Sequence, residues 1–261
     1  MEKLKFIKRY IKYLLQGKSK SSVHSPFVFD LYTKVILPKK SFYSFDKIDS
    51  VRKMLCKNEG TIRVTDFGAG SHLNNSKEKK ISTIAKNAAK SKKIGELLSV
   101  LCNHVTPKYA LELGTSLGIS TLYQYSASKS AKWTTMEGCP ETAKLAQKVF
   151  HSYKADSIQI KVGDFGVTLP EVIEGYPQLD YVFFDGNHQK QPTIDYFEAC
   201  LPKVTETSLF IFDDIHWSEG MEEAWEYIKR HPQVTVTIDL FWIGLVFFKK
   251  NEVKEDFVLR Y

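Results

Sequence analysis

The chain has 261 residues, 43% of them apolar and 26% charged, which excludes a disordered chain and a small disulfide scaffold and fits one large soluble domain or two. Residues 1–108 hold 23 basic and 8 acidic side chains and residues 109–261 hold 14 and 22, so the formal charge of +7 divides into +15 and −8. Such a split suggests a basic module joined to an acidic domain, and basic modules often face phosphates, anionic lipid or another acidic surface. Cys56, Cys102, Cys139 and Cys200 form no C-x-x-C pair and have no histidine at metal-ligand spacing, so they read as reduced thiols. No run approaches the roughly 18 apolar residues of a membrane span, and lysines interrupt the apolar positions of the N-terminus. A cytoplasmic protein is expected.

Residues 3–16 place Leu4, Ile7, Ile11 and Leu14 at helical spacing, with Lys5, Lys8, Arg9 and Lys12 between them. This is a basic amphipathic helix. Such a helix can lie on an anionic membrane, yet at this length it more often docks on its own domain, and docking is the expectation. After a Lys/Ser-rich break, Ser25 can cap a helix that Pro26 begins and that runs to about Leu37, and a further helix is expected over 46–57. Residues 61–67 alternate as a strand and enter the glycine turn Asp66–Ser71. The polar run 72–80 reads as loop, where a dinucleotide site needs a helix at once, so this turn reads as a turn or lid. Helices over 81–89 and 94–104 lead into the second half.

From Tyr109 the pattern changes. Strands are expected at 109–113, 133–137, 158–162, 181–185 and 208–213, with helices at 119–127, 140–152, 192–201 and 219–230. Alternating elements with near-continuous apolar strands such as Tyr181-Val182-Phe183-Phe184 predict an α/β fold with a doubly wound, mostly parallel sheet. The last pair, 234–240 and 242–249, has no room for a helix between its strands and must be an antiparallel hairpin at the sheet edge.

Three motifs fall at the carboxyl ends of the first three of these strands. Glu112-Leu113-Gly114-Thr115-Ser116-Leu117-Gly118 lets the chain turn tightly and brings backbone N–H groups to a ligand. Glu137, followed by Gly138, can accept both hydroxyls of a ribose. Asp164 and Phe165 offer a carboxylate and a ring to an adenine. Two further clusters, Phe184-Asp185-Gly186-Asn187-His188 and Phe212-Asp213-Asp214-Ile215-His216, follow the fourth and fifth strands.

In this order the motifs resemble those of the class I S-adenosylmethionine-dependent methyltransferases over about residues 94–250, closest to the catechol-type small-molecule O-methyltransferases. The resemblance implies a seven-stranded Rossmann-like sheet with an antiparallel last strand over 93–261, and leaves 1–92 as a basic, mainly helical extension. It implies S-adenosylmethionine as cofactor, with Gly114, Thr115 and Ser116 at its methionine end, Glu137 on the ribose, Asp164 and Phe165 at the adenine, and Glu112, Gly118, Gly138 and Asp185 completing the cradle. It also implies Mg²⁺ at Asp185, Asp213 and Asp214, which offer the hard oxygens that ion prefers. Two positions depart from the metal-dependent pattern: Asp214 stands where that family has Asn, and His188 where it has Lys. A metal-free reading, with the acids orienting histidines, therefore stays open.

The resulting expectation is O-methylation of a small molecule, with His188 as base, His216 as a second candidate and Asp185 beside them. A homodimer is compatible with it. The alternatives are a nucleic-acid methyltransferase using the basic half, a non-catalytic protein whose basic helices bind a partner or membrane, and a nicotinamide oxidoreductase, which the glycine spacing disfavours; contact of residues 1–22 with anionic membrane or nucleic acid also stays open.

Overall fold

The computed structural model describes residues 2–38, 42–65, 77–87 and 90–261. The glycine turn 66–71 lies outside the described residues. The N-terminal half supplies α1 (Glu2–Gln16), α2 (Pro26–Leu31), α3 (Tyr43–Cys56), a small hairpin of β1 (Thr61–Val64) and β2 (Lys77–Lys80), α4 (Ile81–Asn87) and α5 (Lys92–Val105). Ser25 caps α2 as its sequence suggests, its hydroxyl accepting from the Val28 N–H at 3.3 Å. The expected helix to Leu37 loosens into a π turn over Tyr32–Ile36, where the Leu37 N–H reaches back five residues to the Tyr32 carbonyl at 2.9 Å. Residues 77–80, expected as loop, are a strand whose partners are Thr61–Val64.

The second half alternates β3 (Tyr109–Leu113), α6 (Ile119–Ala127), β4 (Lys132–Glu137), α7 (Pro140–Tyr153), β5 (Gln159–Val162), α8 (Phe165–Glu174), β6 (Tyr181–Phe184), α9 (Lys190–Cys200), β7 (Leu209–Asp213) and α10 (Glu219–Arg230). It ends in β8 (Val236–Asp239), β9 (Ile243–Phe247) and β10 (Glu255–Val258). Sequence reading misses α8, which contains Pro170; Asp164 starts it by accepting from the Gly166 N–H at 2.7 Å.

The main sheet runs β10-β8-β9-β7-β6-β3-β4-β5, parallel except for β9, which is antiparallel to both neighbours. The expected hairpin is therefore present, but it is not the edge. An eighth strand, β10, pairs in parallel with β8 and buries Phe257 and Leu259. Its short, acidic sequence hides this, and Thr237 meets one of those acids by donating to Asp256 at 2.6 Å.

Alternate residues of each central strand face opposite layers. Tyr181, Phe183, Leu209 and Ile211 pack into the core formed with α2, α3, α5 and α6, whereas Val182, Phe184, Phe210 and Phe212 pack with α8, α9 and α10. Val28, Leu31, Phe45 and Ile48 from the basic half share the first of these cores. The apolar faces of α2 and α3 thus cover one side of the sheet, while Lys47 and Lys53 of α3 are exposed.

The chain order turns back between β3 and β6, which lie side by side. In a doubly wound sheet that reversal opens a crevice beyond the carboxyl ends of the two strands. Among the described residues no helix is long and apolar enough to cross a membrane.

Candidate active site

A cavity of about 520 Å³ occupies this crevice, within the roughly 300–1,000 Å³ of small-molecule sites. Gly114, at the end of β3, adopts φ +105°, and a Cβ there would overlap the Asp185 carbonyl, so only glycine lets the two turns meet. Ser116 follows at φ 48°. Its N–H donates to Glu137 Oε2 at 2.8 Å, and the Cys139 N–H donates to Oε1 at 2.9 Å. The Glu137 carboxylate is thereby fixed at the end of β4, on the cavity wall with Gly138, Asp164, Phe165 and Asp185.

Not every residue of the glycine motif reaches the cavity. Glu112 is fully buried beneath it, accepting from Ser120 (2.8 Å), Gln124 (2.9 Å), Thr135 (2.8 Å) and Thr121. Burial raises its pKa, against the pull of those hydrogen bonds. The Thr115 hydroxyl lies in the same layer, 2.6 Å from that of Thr135, and Gly118 packs under the Phe150 ring. These three residues hold the turn in shape from behind, whereas Gly114, Ser116 and Glu137 form its surface.

Asn187 occupies a left-handed turn after β6, at φ 57°, with its amide nitrogen donating to the Tyr196 hydroxyl at 3.3 Å. Its Oδ1 is buried and has no hydrogen-bond partner among the described residues. A buried acceptor left open on a cavity wall suits a ligand that brings a donor, such as an adenine amino group. With the glycine cradle and the fixed Glu137 carboxylate, this makes the crevice a fit for S-adenosylmethionine.

The acidic end of the cavity is built from the turns after β6 and β7. One ligand atom each from Asp185, His188 and Asp213 lies within 4.8 Å of the others. Asp214 turns in the left-handed region at φ 53°, its N–H donating to the Trp242 carbonyl at 2.7 Å, and also lines the cavity. Into this cluster the N-terminal half inserts a residue that sequence reasoning misses. Lys90 Nζ lies 2.7 Å from Asp185 Oδ1 and donates to Asp213 Oδ2. All three are largely shielded, with side-chain exposures of 16%, 11% and 3% for Lys90, Asp185 and Asp213. Lys90 is placed by the start of α5, where the Ser91 hydroxyl caps the Ile94 N–H at 3.3 Å. It stands 123 residues from Asp213 in a lysine-rich stretch, so no local spacing distinguishes it.

Charge and burial work against one another here. Burial would lower the Lys90 pKa, but Asp185, Asp213 and Asp214 overcome that and raise it, so the ammonium is held charged. Burial pushes the Asp185 carboxyl well above its usual range; Lys90 opposes this and Asp213 adds to it. Burial and the Asp213 charge push Asp214 up to about 7. His188, 3.7 Å from Asp185, is lowered by burial despite Asp213, which keeps its imidazole neutral near pH 7. The three-carboxylate metal site expected from the sequence does not fit this arrangement, because a lysine ammonium stands between two of its donors.

His216 is held elsewhere. Its two ring nitrogens face Glu222 at 3.0 Å and Asp239 at 2.7 Å, its ring stacks on Phe241, and it is not among the cavity-lining residues. Burial alone would lower its pKa, but the two carboxylates raise it. The expected second base is instead a link between α10 and β8.

A doubly wound sheet with one antiparallel strand near its end, a glycine cradle after β3 and an acid after β4 is an arrangement similar to that of the class I methyltransferases. Residues 111–215 match the family described as "Methyltransferase domain". The chain is 31% identical over 124 residues to a catechol O-methyltransferase of Niastella koreensis, an alignment covering 46% of this chain and 55% of that protein. It thus spans about half the length of that curated relative. Among solved structures, an O-methyltransferase from Bacillus cereus in complex with SAH superposes with a TM-score of 0.56 at 19% identity, covering 85% of this chain and 97% of the other. The O-methyltransferase TomG from Streptomyces achromogenes, solved with SAM, gives 0.57 at 16% identity, covering 85% and 96%. At these identities the superpositions establish the fold.

Proposed function

We propose that the protein transfers a methyl group from S-adenosylmethionine to a hydroxyl of a small acceptor, a catechol or other phenol being the class suggested by its curated relative. The observation that carries this reading is the single crevice in which Gly114, Glu137 and Asn187 form a cofactor cradle at one end and His188 stands beside Asp185 at the other. When bound, S-adenosylmethionine supplies an electrophilic methyl on a sulfonium. The chain's own contribution is alignment, exclusion of water and a place for the acceptor proton.

In this reading Ser116 and Gly114 receive the methionine end, Glu137 the ribose hydroxyls, and Asp164 and Phe165 the adenine. The neutral His188 imidazole takes the acceptor proton, and Asp185 positions that imidazole. Residues 93–261 carry the cofactor site and residues 1–92 act as a cap, since Thr65, Lys79 and Ile84 also line the cavity.

Calorimetric titration with S-adenosylhomocysteine tests the cofactor assignment. Glu137→Ala is expected to lower affinity at least tenfold, and unchanged affinity would remove the basis for the cradle. A methyl-transfer screen over catechols, other phenols and carboxylic acids then tests the acceptor class; transfer confined to carboxylic acids would refute it.

A further inference from the structure

We propose that Lys90 is the resident cation of the acidic cluster, doing with an ammonium group what a divalent metal does in metal-dependent methyltransferases. The inference rests on the methyltransferase reading and assigns the charge that holds the acceptor. Asp185 and Asp213 converge after adjacent parallel strands, and so little water reaches them that their charge needs a partner within the protein. Lys90 contacts both, and the capped start of α5 fixes the backbone from which it reaches.

Mg²⁺ demands near-octahedral oxygen ligands at about 2.0–2.1 Å and keeps several waters. The ammonium already lies where those ligands would meet, and a dication beside it would be repelled. An ammonium has three donor hydrogens. Two are directed at Asp185 and Asp213, and the third is available to an acceptor oxygen on the cavity side, which Lys90 lines. That hydrogen bond strengthens as the oxygen gains negative charge. The acceptor O–H proton passes to His188, the oxygen pair forms the bond to the methyl carbon, and the carbon–sulfur pair leaves with sulfur.

Mn²⁺ binding followed by electron paramagnetic resonance tests this without relying on turnover. Wild-type protein is expected to bind no Mn²⁺ at this cluster, Lys90→Ala to gain a site, and Lys90→Ala/Asp213→Asn to lose it again. Mn²⁺ bound by the wild type and released by Asp213→Asn would overturn the inference. Lys90→Met should lower kcat about 10²-fold or more, with S-adenosylhomocysteine affinity within twofold of wild type; undiminished turnover would also overturn it. Failure of the wild type to bind S-adenosylhomocysteine would instead defeat the methyltransferase reading, and the Mn²⁺ result would still stand or fall by itself.

A second inference comes from α1, which docks on the domain by the face opposite to the one its aliphatic pattern suggests. Phe6 and Tyr10 pack against Phe241 at 5.4 and 4.8 Å, Tyr13 donates to the Leu259 carbonyl at 2.6 Å, and Arg9 pairs with Glu222 at 2.8 Å. The aliphatic stripe points away: Leu4, Ile7, Ile11 and Leu15 are 63%, 52%, 50% and 80% exposed. Lys5, Lys8 and Lys12 flank it, and Trp217 and Trp242, both exposed, sit beside Phe6. An apolar stripe bordered by lysines matches the interfacial layer of an anionic bilayer.

We infer that α1 docks the protein on anionic membrane. Cosedimentation with vesicles of equal parts phosphatidylcholine and phosphatidylglycerol should show binding that vesicles of phosphatidylcholine alone do not, and Ile7→Asp/Ile11→Asp should abolish it. Absence of binding to the anionic vesicles would refute the inference. So would a dimer in sedimentation equilibrium that the same substitutions dissolve, because the stripe would then cover a second copy.

Discussion

Replacing Lys90 by methionine leaves a side chain of similar length and removes the charge between Asp185 and Asp213. Both carboxyls are shielded, at 11% and 3% exposure, so solvent does little to screen them. Removing one partner of a buried charge pair costs about 3–5 kcal/mol, a large share of the roughly 5–15 kcal/mol that holds a domain together. With a urea dependence of about 3 kcal/mol per M for a chain of this size, the unfolding midpoint should fall by about 1–2 M at pH 8. The deficit should shrink at lower pH. Burial already raises the Asp185 pKa above its unfolded value, and loss of the ammonium raises it further, so the folded variant gains stability by binding protons as pH falls. Lys90→Met/Asp213→Asn should recover most of the loss, because the second substitution removes the uncompensated charge. Urea unfolding of the three proteins at pH 5.5 and pH 8 is the assay. A deficit below about 1 kcal/mol, or one unrelieved by Asp213→Asn, would refute the reasoning.

The two site-region histidines should titrate in opposite directions by NMR, His188 below and His216 above the ordinary 6.5; shifts of the same sign would contradict the assigned environments. Because the folded pKa of His216 is raised, its contribution to stability is present below about pH 6.5 and is lost as pH rises through the folded value. Gly114→Ala should both destabilise the fold and lower S-adenosylhomocysteine affinity at least tenfold, since a Cβ there overlaps the Asp185 carbonyl; calorimetry showing wild-type affinity would mean that the two turns separate freely. Glu112→Leu strands the hydroxyls of Ser120, Thr121 and Thr135 and the Gln124 amide, and should cost about 3 kcal/mol or more in urea unfolding. Glu112→Gln, which keeps an acceptor, should cost clearly less.

Much of the sheet was legible because its signals are local. An apolar run such as Tyr181–Phe184 has to be a buried strand, and Gly114 marks a turn that other residues cannot make. The elements that were missed have weak local signals. Helix α8 carries an internal proline, and β10 is a four-residue strand with two acids whose burial depends on β8 being beside it. In α1 the docking that the sequence leads one to expect is made by Phe6, Tyr10 and Tyr13, because aromatic rings bury more area each than the aliphatic side chains. At the site, Asp185 and His188 could be picked out by their position after an apolar strand. Lys90 could not, because its role exists only once α5 is packed beneath the sheet.

The charge asymmetry of the chain acquires a physical reason at Lys90. Beyond β6 and β7 the sheet gathers Asp185, Asp213 and Asp214 in a space where burial raises the pKa of Asp185 and Asp214, and Lys90 is the cation that opposes this most strongly at Asp185. The compensating charge comes from position 90, outside the 111–215 segment that matches the methyltransferase family. The same N-terminal half contributes Val28, Leu31, Phe45 and Leu98 to the core on one face of the sheet. A basic segment that both completes the core and neutralises the site is not a detachable accessory. Lys90 reaches inward to Asp185 and Asp213, and that side chain couples formation of the acidic cluster to the folding of the N-terminal half.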